Sequence, residues 1–412
     1  MRLRTPSMSK AIDLVLSQVV PFALAAITTF ATAGILGTAD RGRLALILST
    51  GGLIGAIGFL SLHVGIVHAT VRGDRTATRR GWIVGACIAG GVLVVGVIGG
   101  LFVPPAADAS TLYGRNTVIF ASIGGALVLF NLVVLRTRQG LGASRTFRNA
   151  WFIQSAVFPL IGLPVAVITH DPYAVAVCWF IALIASTLYA AFRRMPDVST
   201  ADAVHVPTRS IVATALASHV AVLGQQLLFR GDIVVLGFFV SAQQLGIYSV
   251  AAPIAGMIWV FSEALSLLAF DTGGKVQTPE ETRARRRRLV AVNAIVGGIG
   301  AVIVALLSWL LIPWLLPEYV DAIPLILILL PGVVVQGYAR ITLSSVLTSG
   351  DRRAPLWIGI GSAILSVVYI PLSALLGIAG AAIASSIIYA LQSVLVAIVV
   401  RRSRKQRSEQ LA

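Results

Sequence analysis

The side chains best suited to chemistry are ionisable and amide groups that interrupt long apolar segments. Arg230 and Asp232 occur in QQLLFRGDIVVLGFF, and two later apolar segments contain Glu263 and Arg340. A charged side chain inside a membrane-spanning helix costs about 2.5–3.5 kcal/mol on insertion scales, so such residues usually mark a transport path or a ligand site. The residues predicted to line a substrate-binding lumen are Arg230, Asp232, Glu263, Arg340, Gln225 and Gln226.

The spacing of these residues predicts how they are paired. Arg230 and Asp232 are two positions apart, about 200° around a helix, so each needs a partner on another helix or water. Together they favour a hydrated site, and extension of Arg230 to the outer membrane interface is the alternative. Glu263 and Arg340 have opposite charges and a similar predicted depth, so we expect them to face each other or to line the inner part of a cleft. Alternatively, the Glu263 and Arg340 side chains extend independently to the cytoplasmic surface. For the glutamines, the alternative to lining the lumen is hydrogen bonding between helices.

Membrane-spanning helices must position these residues. Of the 412 residues, 57% are hydrophobic and only 12% are charged, whereas soluble proteins contain about 25% charged residues. The apolar residues form blocks of about 20, the helix length that crosses the ~30 Å hydrocarbon core. The composition excludes a soluble fold and predicts an all-α polytopic membrane protein. The first apolar stretch is too long for a signal peptide, so we expect it to be retained as the first helix.

The hydropathy pattern predicts twelve transmembrane helices. Most of the 32 lysine and arginine residues fall on one side when the spans alternate, and basic residues are concentrated in cytoplasmic loops. Both termini are therefore predicted to lie in the cytoplasm, with the protein in the cytoplasmic membrane. The predicted spans are residues 10–36, 43–69, 82–103, 117–135, 150–169, 173–192, 210–240, 246–270, 290–316, 323–347, 356–376 and 378–400.

This topology explains the net charge of +16 without a nucleic-acid partner. The most basic segment, EETRARRRR (280–288), lies in a predicted cytoplasmic connection, where arginines determine orientation. An anionic-lipid site is the alternative for this segment. Cys87 and Cys178 both lie in apolar segments, so no disulfide framework is predicted.

The two halves of the chain, residues 1–200 and 201–412, show signs of an internal repeat. The matching positions are Gly42 with Gly246, Gly52 with Gly256, and the motif from Gly142 to Arg145 with the motif from Gly350 to Arg353. Six spans per half give both halves the same orientation, as in parallel repeats. We therefore predict two six-helix lobes related by a pseudo-twofold axis along the membrane normal, with a cleft between them.

Motifs for catalysis or nucleotide hydrolysis are not found in the sequence. It contains neither a phosphate-binding G-x-x-x-x-G-K-[ST] loop nor an H-E-x-x-H zinc motif. The predicted loops are short, which leaves little room for catalytic groups outside the membrane. We predict no enzyme activity, no catalytic residue, no cofactor and no metal site. Transport would then depend on an H⁺ or Na⁺ gradient, on the membrane voltage, or on removal of the delivered product.

Four parts of the sequence resemble polysaccharide flippases of the multidrug/oligosaccharidyl-lipid/polysaccharide exporter superfamily, and they occur in the same order. They are ILGTADRGRLAL after helix 1, RGDIVVLGFFVSAQQLGIYSVA across helices 7 and 8, PEYVDAIPLILILL entering helix 10, and LTSGDRRAPLW with GIAGAAIASSI at helices 11 and 12. The resemblance implies two six-helix lobes arranged in a V. It also implies a cargo, an isoprenoid-diphosphate-linked oligosaccharide that is moved from the inner to the outer leaflet.

The same resemblance implies partners and roles for single residues. Membrane lipids, a glycan polymerase and glycosyltransferases are the implied partners besides the lipid-linked glycan. Arg230 and Asp232 occupy the part of helix 7 where such proteins often have a charged pair. Arg340 departs from the family pattern because it lies in a region of helix 10 that is commonly apolar.

Three other functions remain as alternatives. The first is an ion-coupled exporter of amphipathic small molecules, which an acidic residue buried in a closed, dry helix bundle would favour over a wide groove with lateral openings. The second is a membrane-embedded glycan-processing enzyme, which would change the covalent structure of a lipid-linked sugar. The third is a membrane scaffold that transports nothing.

Overall fold

The computed structural model describes residues 8–74, 76–105, 112–194, 205–273, 279–347 and 353–411, and within these ranges the regular structure is helical. The helices of the first half are α1 (Met8–Gly58), α2 (Leu62–Val71), α3 (Ala77–Leu101), α4 (Arg115–Gly140), α5 (Ser144–Thr169) and α6 (Pro172–Phe192). The helices of the second half are α7 (Thr208–Leu236), α8 (Ala242–Gly256), α9 (Trp259–Gly273), α10 (Pro279–Leu315), α11 (Ala322–Leu347), α12 (Arg353–Ser366) and α13 (Tyr369–Leu411).

Local sequence explains where two helices, α8 and α6, begin. At the start of α8, the Ser241 hydroxyl accepts a hydrogen bond from the backbone N–H of Gln244, whose side chain accepts one from the backbone N–H of Ser241. This reciprocal pair satisfies two N–H groups that a helix start leaves unbonded. At the start of α6, the Asp171 side chain accepts a hydrogen bond from the backbone N–H of Tyr173. Pro172, which has no N–H to satisfy, occupies the first helical position there.

The helices confirm the predicted all-α polytopic membrane fold. Within the described ranges, nine helices are long and apolar enough to cross a membrane, or ten if α8 and α9, bent by 43°, form one span. Large apolar side chains such as Val95 (73% exposed) and Trp309 (70% exposed) lie on the outer surface. Such a surface suits contact with lipid tails.

The prediction of twelve spans differs from the smaller number of long helices in the described ranges. Part of this difference arises because two of the helices, α1 and α13, are each broken at a glycine. The 51 residues of α1 would extend roughly 75 Å as one rod, which is more than twice the thickness of the hydrocarbon core. The helix is broken at Gly37 (φ 72°, ψ 175°), and α13 is broken at Gly377 (φ 57°, ψ −133°). Divided at these glycines, α1 and α13 reproduce the predicted span boundaries near residues 36 and 377. The predicted loop at 37–42 is wrong, because helical backbone resumes directly after Gly37.

Other span boundaries also differ from the prediction. Predicted span 2 is interrupted at Leu60 and Ser61, which have positive φ angles and separate α1 from α2. Predicted span 8 corresponds to two helices, α8 and α9, and predicted span 9 starts eleven residues earlier, at Pro279. The early start extends α10 through the basic segment 280–288.

The helices form two lobes. In the first, α1 and α3 pack against α4, and α5 packs against α6; in the second, α11 packs against α13, and α7 packs against α12. A large core joins buried residues of the second lobe, including the fully buried Tyr248 and Tyr369, to Ala33 and Leu46 of α1 in the first lobe. The predicted boundary between residues 200 and 201 and the repeat residue Gly350 lie outside the described residues, so the exact division stays a prediction.

The lobes touch where α1 crosses α8. A Cβ atom on Gly42 would overlap the carbonyl oxygen of Ala242, and one on Gly246 would overlap the carbonyl oxygen of Thr38. Gly42 and Gly246 are therefore in direct backbone contact, and they are the two glycines matched in the predicted repeat. Equivalent residues meet in this way where a twofold axis passes between two units. The contact supports the predicted repeat.

Candidate functional site

Arg230 lies between the lobes. It belongs to α7, its side chain is exposed, and its guanidinium carbon lies 3.1 Å from the position that a Cβ of Gly52 would occupy. Gly52 belongs to α1, so the cation reaches from the second lobe to the first, and the glycine leaves room for it. Arg230 therefore contacts the opposite lobe at an accessible position.

Asp232 lies in a different environment, inside the second lobe. It is only 6% exposed, and its carboxylate accepts a hydrogen bond of 2.8 Å from the Tyr248 hydroxyl of α8. The Tyr248 and Tyr369 hydroxyls lie 3.3 Å and 3.2 Å from the Ser385 hydroxyl of α13. The structure does not bring Arg230 and Asp232 into one site, because their 200° separation directs them to opposite sides of α7.

Glu263 and Arg340 are brought together, as their charges and depths predict. An ion pair joins the Arg340 Nη1 atom of α11 to the Glu263 Oε1 atom of α9. The guanidinium also lies 4.7 Å from the ring centroid of Phe229 and 4.5 Å from that of Trp259, distances typical of cation–π contacts. Arg340 thus connects α7, α9 and α11, and the carboxylate of Glu263 remains partly accessible.

The glutamines give a mixed result. The Gln225 amide donates a hydrogen bond of 3.1 Å to the Ser362 hydroxyl, and the Gln392 amide donates one of 2.9 Å to the same oxygen. Gln336 donates in turn to Gln392. These hydrogen bonds join α7, α12, α13 and α11. Interhelical hydrogen bonding, the alternative to a role in the lumen, therefore accounts for Gln225. Gln226 is partly buried, and its predicted role in a lumen stays a prediction.

Sequence reasoning missed the tyrosines around Asp232. Tyr248, Tyr369 and Tyr389 are all at least 96% buried, and inside apolar segments they resemble ordinary core residues. The signal that identifies them is their hydroxyl, because a buried tyrosine usually needs a hydrogen-bond partner. The buried Asp232 supplies one such partner and Ser385 another. No group of three or more potential metal ligands occurs among the described residues.

Comparisons with known proteins find a similar fold in solved structures of low sequence identity. No family model matches the sequence, and the comparison with curated proteins gives no match. The inward-facing conformation of a multidrug resistance MATE family transporter of the MOP superfamily matches with a TM-score of 0.72 at 14% identity, over 97% of this chain and 100% of that one. Lipid II flippase MurJ, in an inward closed conformation, matches with a TM-score of 0.71 at 11% identity, over 95% of this chain and 87% of that one.

A third match, a MOP superfamily transporter from Pyrococcus furiosus, has a TM-score of 0.63 at 14% identity, over 95% of each chain. These three structures are of transporters or a flippase. At identities this low the likeness concerns the fold. The chain is a multi-pass membrane protein with the two-lobed fold of the MOP superfamily transporters.

Proposed function

We propose that this protein moves an isoprenoid-diphosphate-linked oligosaccharide from the inner to the outer leaflet of the cytoplasmic membrane. Each unpaired hydroxyl costs about 4–8 kcal/mol to transfer from water to an alkane-like medium. A glycan with many hydroxyls therefore does not cross the bilayer unaided. A cleft between two lobes provides a hydrated path for the headgroup while the lipid tail stays in the membrane.

The position of Arg230 is the observation that supports the proposal most directly. Its side chain is exposed and reaches across to Gly52 of the other lobe. A guanidinium presents a planar set of donors that suits the oxygens of a diphosphate. Arg230 is therefore the residue that we expect to bind the charged part of the cargo.

Alternating access also has structural support. The lobes touch at the predicted outer end through Gly42 and Gly246. They touch again at the predicted inner end, where the backbone N–H of Val206 donates to the Asp74 carboxylate over 2.8 Å. Transport would require these two contacts to separate in turn, as the lobes rock about the cleft. The driving force would be an H⁺ or Na⁺ gradient, the membrane voltage, or consumption of the delivered glycan.

The proposal also assigns partners and orientation. Glycosyltransferases would supply the lipid-linked glycan at the inner leaflet, and a glycan polymerase would use it at the outer leaflet. Both termini would lie in the cytoplasm, since the arginine-rich ends of the helices lie on that predicted side.

The Arg230→Ala variant tests the proposal in cells that depend on this protein. We expect lipid-linked intermediate to accumulate on the cytoplasmic face and surface glycan to fall about ten-fold or more, because a charge-assisted contact is lost. Arg230→Lys should restore part of the activity. Arg145→Ala, which removes an exposed arginine at the start of α5, is the matched control. A normal amount of outward-facing intermediate in Arg230→Ala, at normal expression, would remove Arg230 from the site.

A second candidate function is favoured by Asp232, which lies buried in the second lobe beside Tyr248. A buried acid of this kind suits an ion-coupled exporter of amphipathic small molecules. Purified protein in liposomes distinguishes the two functions. Export of a cationic dye that requires an H⁺ or Na⁺ gradient and is lost in Asp232→Asn would favour the exporter, whereas movement of a lipid-linked glycan between the leaflets would favour the flippase. Chemical change in the added glycan would instead indicate a processing enzyme.

A further inference from the structure

An open cavity of about 500 Å³ lies in the first lobe. It is at the end of the lobe that is predicted to face the cytoplasm from the distribution of arginines. Its walls come from the start of α3, the last turns of α4 and the end of α6. None of the lining residues belongs to the second lobe. The cavity is therefore separate from Arg230 and from the proposed cargo path.

Three arginines surround this cavity. Arg79 and Arg193 are exposed at its edge, and Arg138, only 1% exposed, forms part of its wall. The Nη atoms of Arg138 donate to the carbonyl oxygens of Ala191, Arg193 and Arg194 over 3.1, 2.6 and 2.9 Å. These carbonyls lie at the last turn of α6 and directly after it, where the helix dipole is negative.

The charge of Arg138 is only partly compensated by these carbonyls. Within the described ranges no carboxylate forms an ion pair with it, and its Nε atom has no hydrogen-bond partner. Its guanidinium lies 5.6 Å from the ring centroid of Trp82. A buried cation usually has an acidic partner, and none of the residues lining this cavity is acidic. The cavity therefore presents a positive potential that an external anion would complete.

The deeper part of the cavity is apolar. Trp82, Ile83 and Ala86 of α3 and Phe130 of α4 form this part of the wall. Ile83 is 53% exposed, so the cavity adjoins the lateral surface that meets lipid. From Thr78 to Ala86 the wall extends about 12 Å along the helix axis. A cationic edge above an apolar wall of this depth matches a phosphate headgroup followed by the upper part of an acyl chain.

We propose that this cavity is a binding site for one anionic phospholipid of the inner leaflet. The phosphate would lie between Arg79 and Arg193, in the positive field of Arg138, and one acyl chain would pack along Trp82 and Phe130. The bound lipid would join the ends of α3, α4 and α6 and stabilise the first lobe. This role is additional to the transport that we propose for the cleft.

Native mass spectrometry of the full chain in detergent tests this site. Dioleoyl-phosphatidylglycerol is titrated into the wild type, into the double variant Arg79→Gln/Arg193→Gln, and into the control Arg145→Gln/Arg148→Gln, which removes the same two charges outside the cavity. Since each arginine near a membrane surface strengthens the binding of an anionic lipid, the double variant should bind about thirty-fold more weakly. The control and the wild type should each bind one lipid with the same affinity. Arg138 stays intact because its removal endangers the fold.

Three further measurements complete the test. Dioleoyl-phosphatidylcholine should not occupy the site, and inorganic phosphate at millimolar concentration should not displace phosphatidylglycerol. Bound phosphatidylglycerol should raise the thermal unfolding midpoint of the wild type and leave that of the double variant unchanged. Equal binding by the wild type and the double variant, or equal binding of the two lipids, would overturn the proposal. Displacement by inorganic phosphate would show a simple anion site instead of a lipid site.

Discussion

The role of each charged residue in this protein depends on the side chains that it contacts. The Glu263–Arg340 pair could be predicted from sequence, because two opposite charges at one depth in a membrane have a strong tendency to meet. The location of Asp232 could not be predicted in the same way. Its partner Tyr248 lies on a separate helix, and a tyrosine in an apolar segment gives no sign of what its hydroxyl contacts.

The hydrogen bond between Tyr248 and Asp232 can be tested by removing one oxygen atom. Tyr248→Phe leaves the buried carboxylate without this donor, so we expect the free energy of unfolding to fall by about 1–3 kcal/mol. Thermal unfolding in detergent measures the change. Tyr173→Phe, at a partly buried tyrosine of α6, is the control and should change stability little. Equal midpoints for wild type and Tyr248→Phe would show that the hydrogen bond does not stabilise the fold.

The ion pair of Glu263 and Arg340 can be tested with a double-mutant cycle. We expect Glu263→Gln and Arg340→Gln each to destabilise the protein, and the double variant to be less destabilised than the sum, with a coupling of about 0.5–3 kcal/mol. Arg340→Lys should also lose stability, because an ammonium group does not reproduce the planar contact with Phe229 and Trp259. Additive effects in the cycle would contradict a direct interaction.

For the helices, the sequence predicts that a membrane-spanning helix is present more accurately than it predicts the residues at which the helix begins and ends. Long apolar blocks and flanking arginines predict the spans because the membrane thickness fixes their length. The breaks at Gly37 and Gly377 were not predicted in detail, since a single residue with positive φ interrupts a helix without a polar loop. The cavity of the first lobe was also missed, because it depends on how the ends of three helices are arranged.

The crossing of α1 and α8 requires a glycine at position 246. A Cβ there would overlap the backbone of Thr38, so Gly246→Ala must push the two helices apart. We expect a loss of about 1–3 kcal/mol of stability, as for other overpacked positions, together with reduced transport. Gly298→Ala is the control, because nothing lies within 4 Å of the added methyl group. A destabilisation no larger than that of Gly298→Ala would contradict the close crossing.

At the scale of the whole molecule, the two lobes contact each other at both predicted ends and also where α1 and α2 pack against α7. The inner contact involves Asp74, which is 3% exposed and pairs with Arg80. Burial alone would raise the pKa of Asp74. Hydrogen bonds from the Val206 and Thr76 backbone and the Thr76 hydroxyl, together with the Arg80 charge, outweigh burial and lower this pKa to about 2. Asp74 therefore stays charged throughout the physiological pH range.

The pH dependence of stability tests this inner contact. Because the pKa of Asp74 is lower in the folded protein than the ordinary value of about 3.9, its stabilisation is complete above about pH 5 and is lost as the pH falls toward 2. Asp74→Asn should lower the free energy of unfolding by about 1–3 kcal/mol at pH 7. His205 Nδ1 lies 3.9 Å from the Asp74 carboxylate, so both proteins carry His205→Gln in this comparison. The difference between them in thermal unfolding should then be constant from pH 5 to 8 and shrink in acid. A difference that changes between pH 5 and 8 would contradict this assignment.

We propose that the cleft beside Arg230 carries a lipid-linked glycan across the membrane. The most direct measurement places the purified full chain in liposomes that contain an isoprenoid-diphosphate-linked oligosaccharide with a fluorescent sugar. A quencher that does not cross the membrane and irreversibly destroys the fluorophore then removes every label that reaches the outer leaflet. The account predicts nearly complete quenching with the wild type and quenching of about half of the label in protein-free liposomes and with Arg230→Ala. Quenching of only half with the active wild type, or complete quenching with Arg230→Ala, would contradict it.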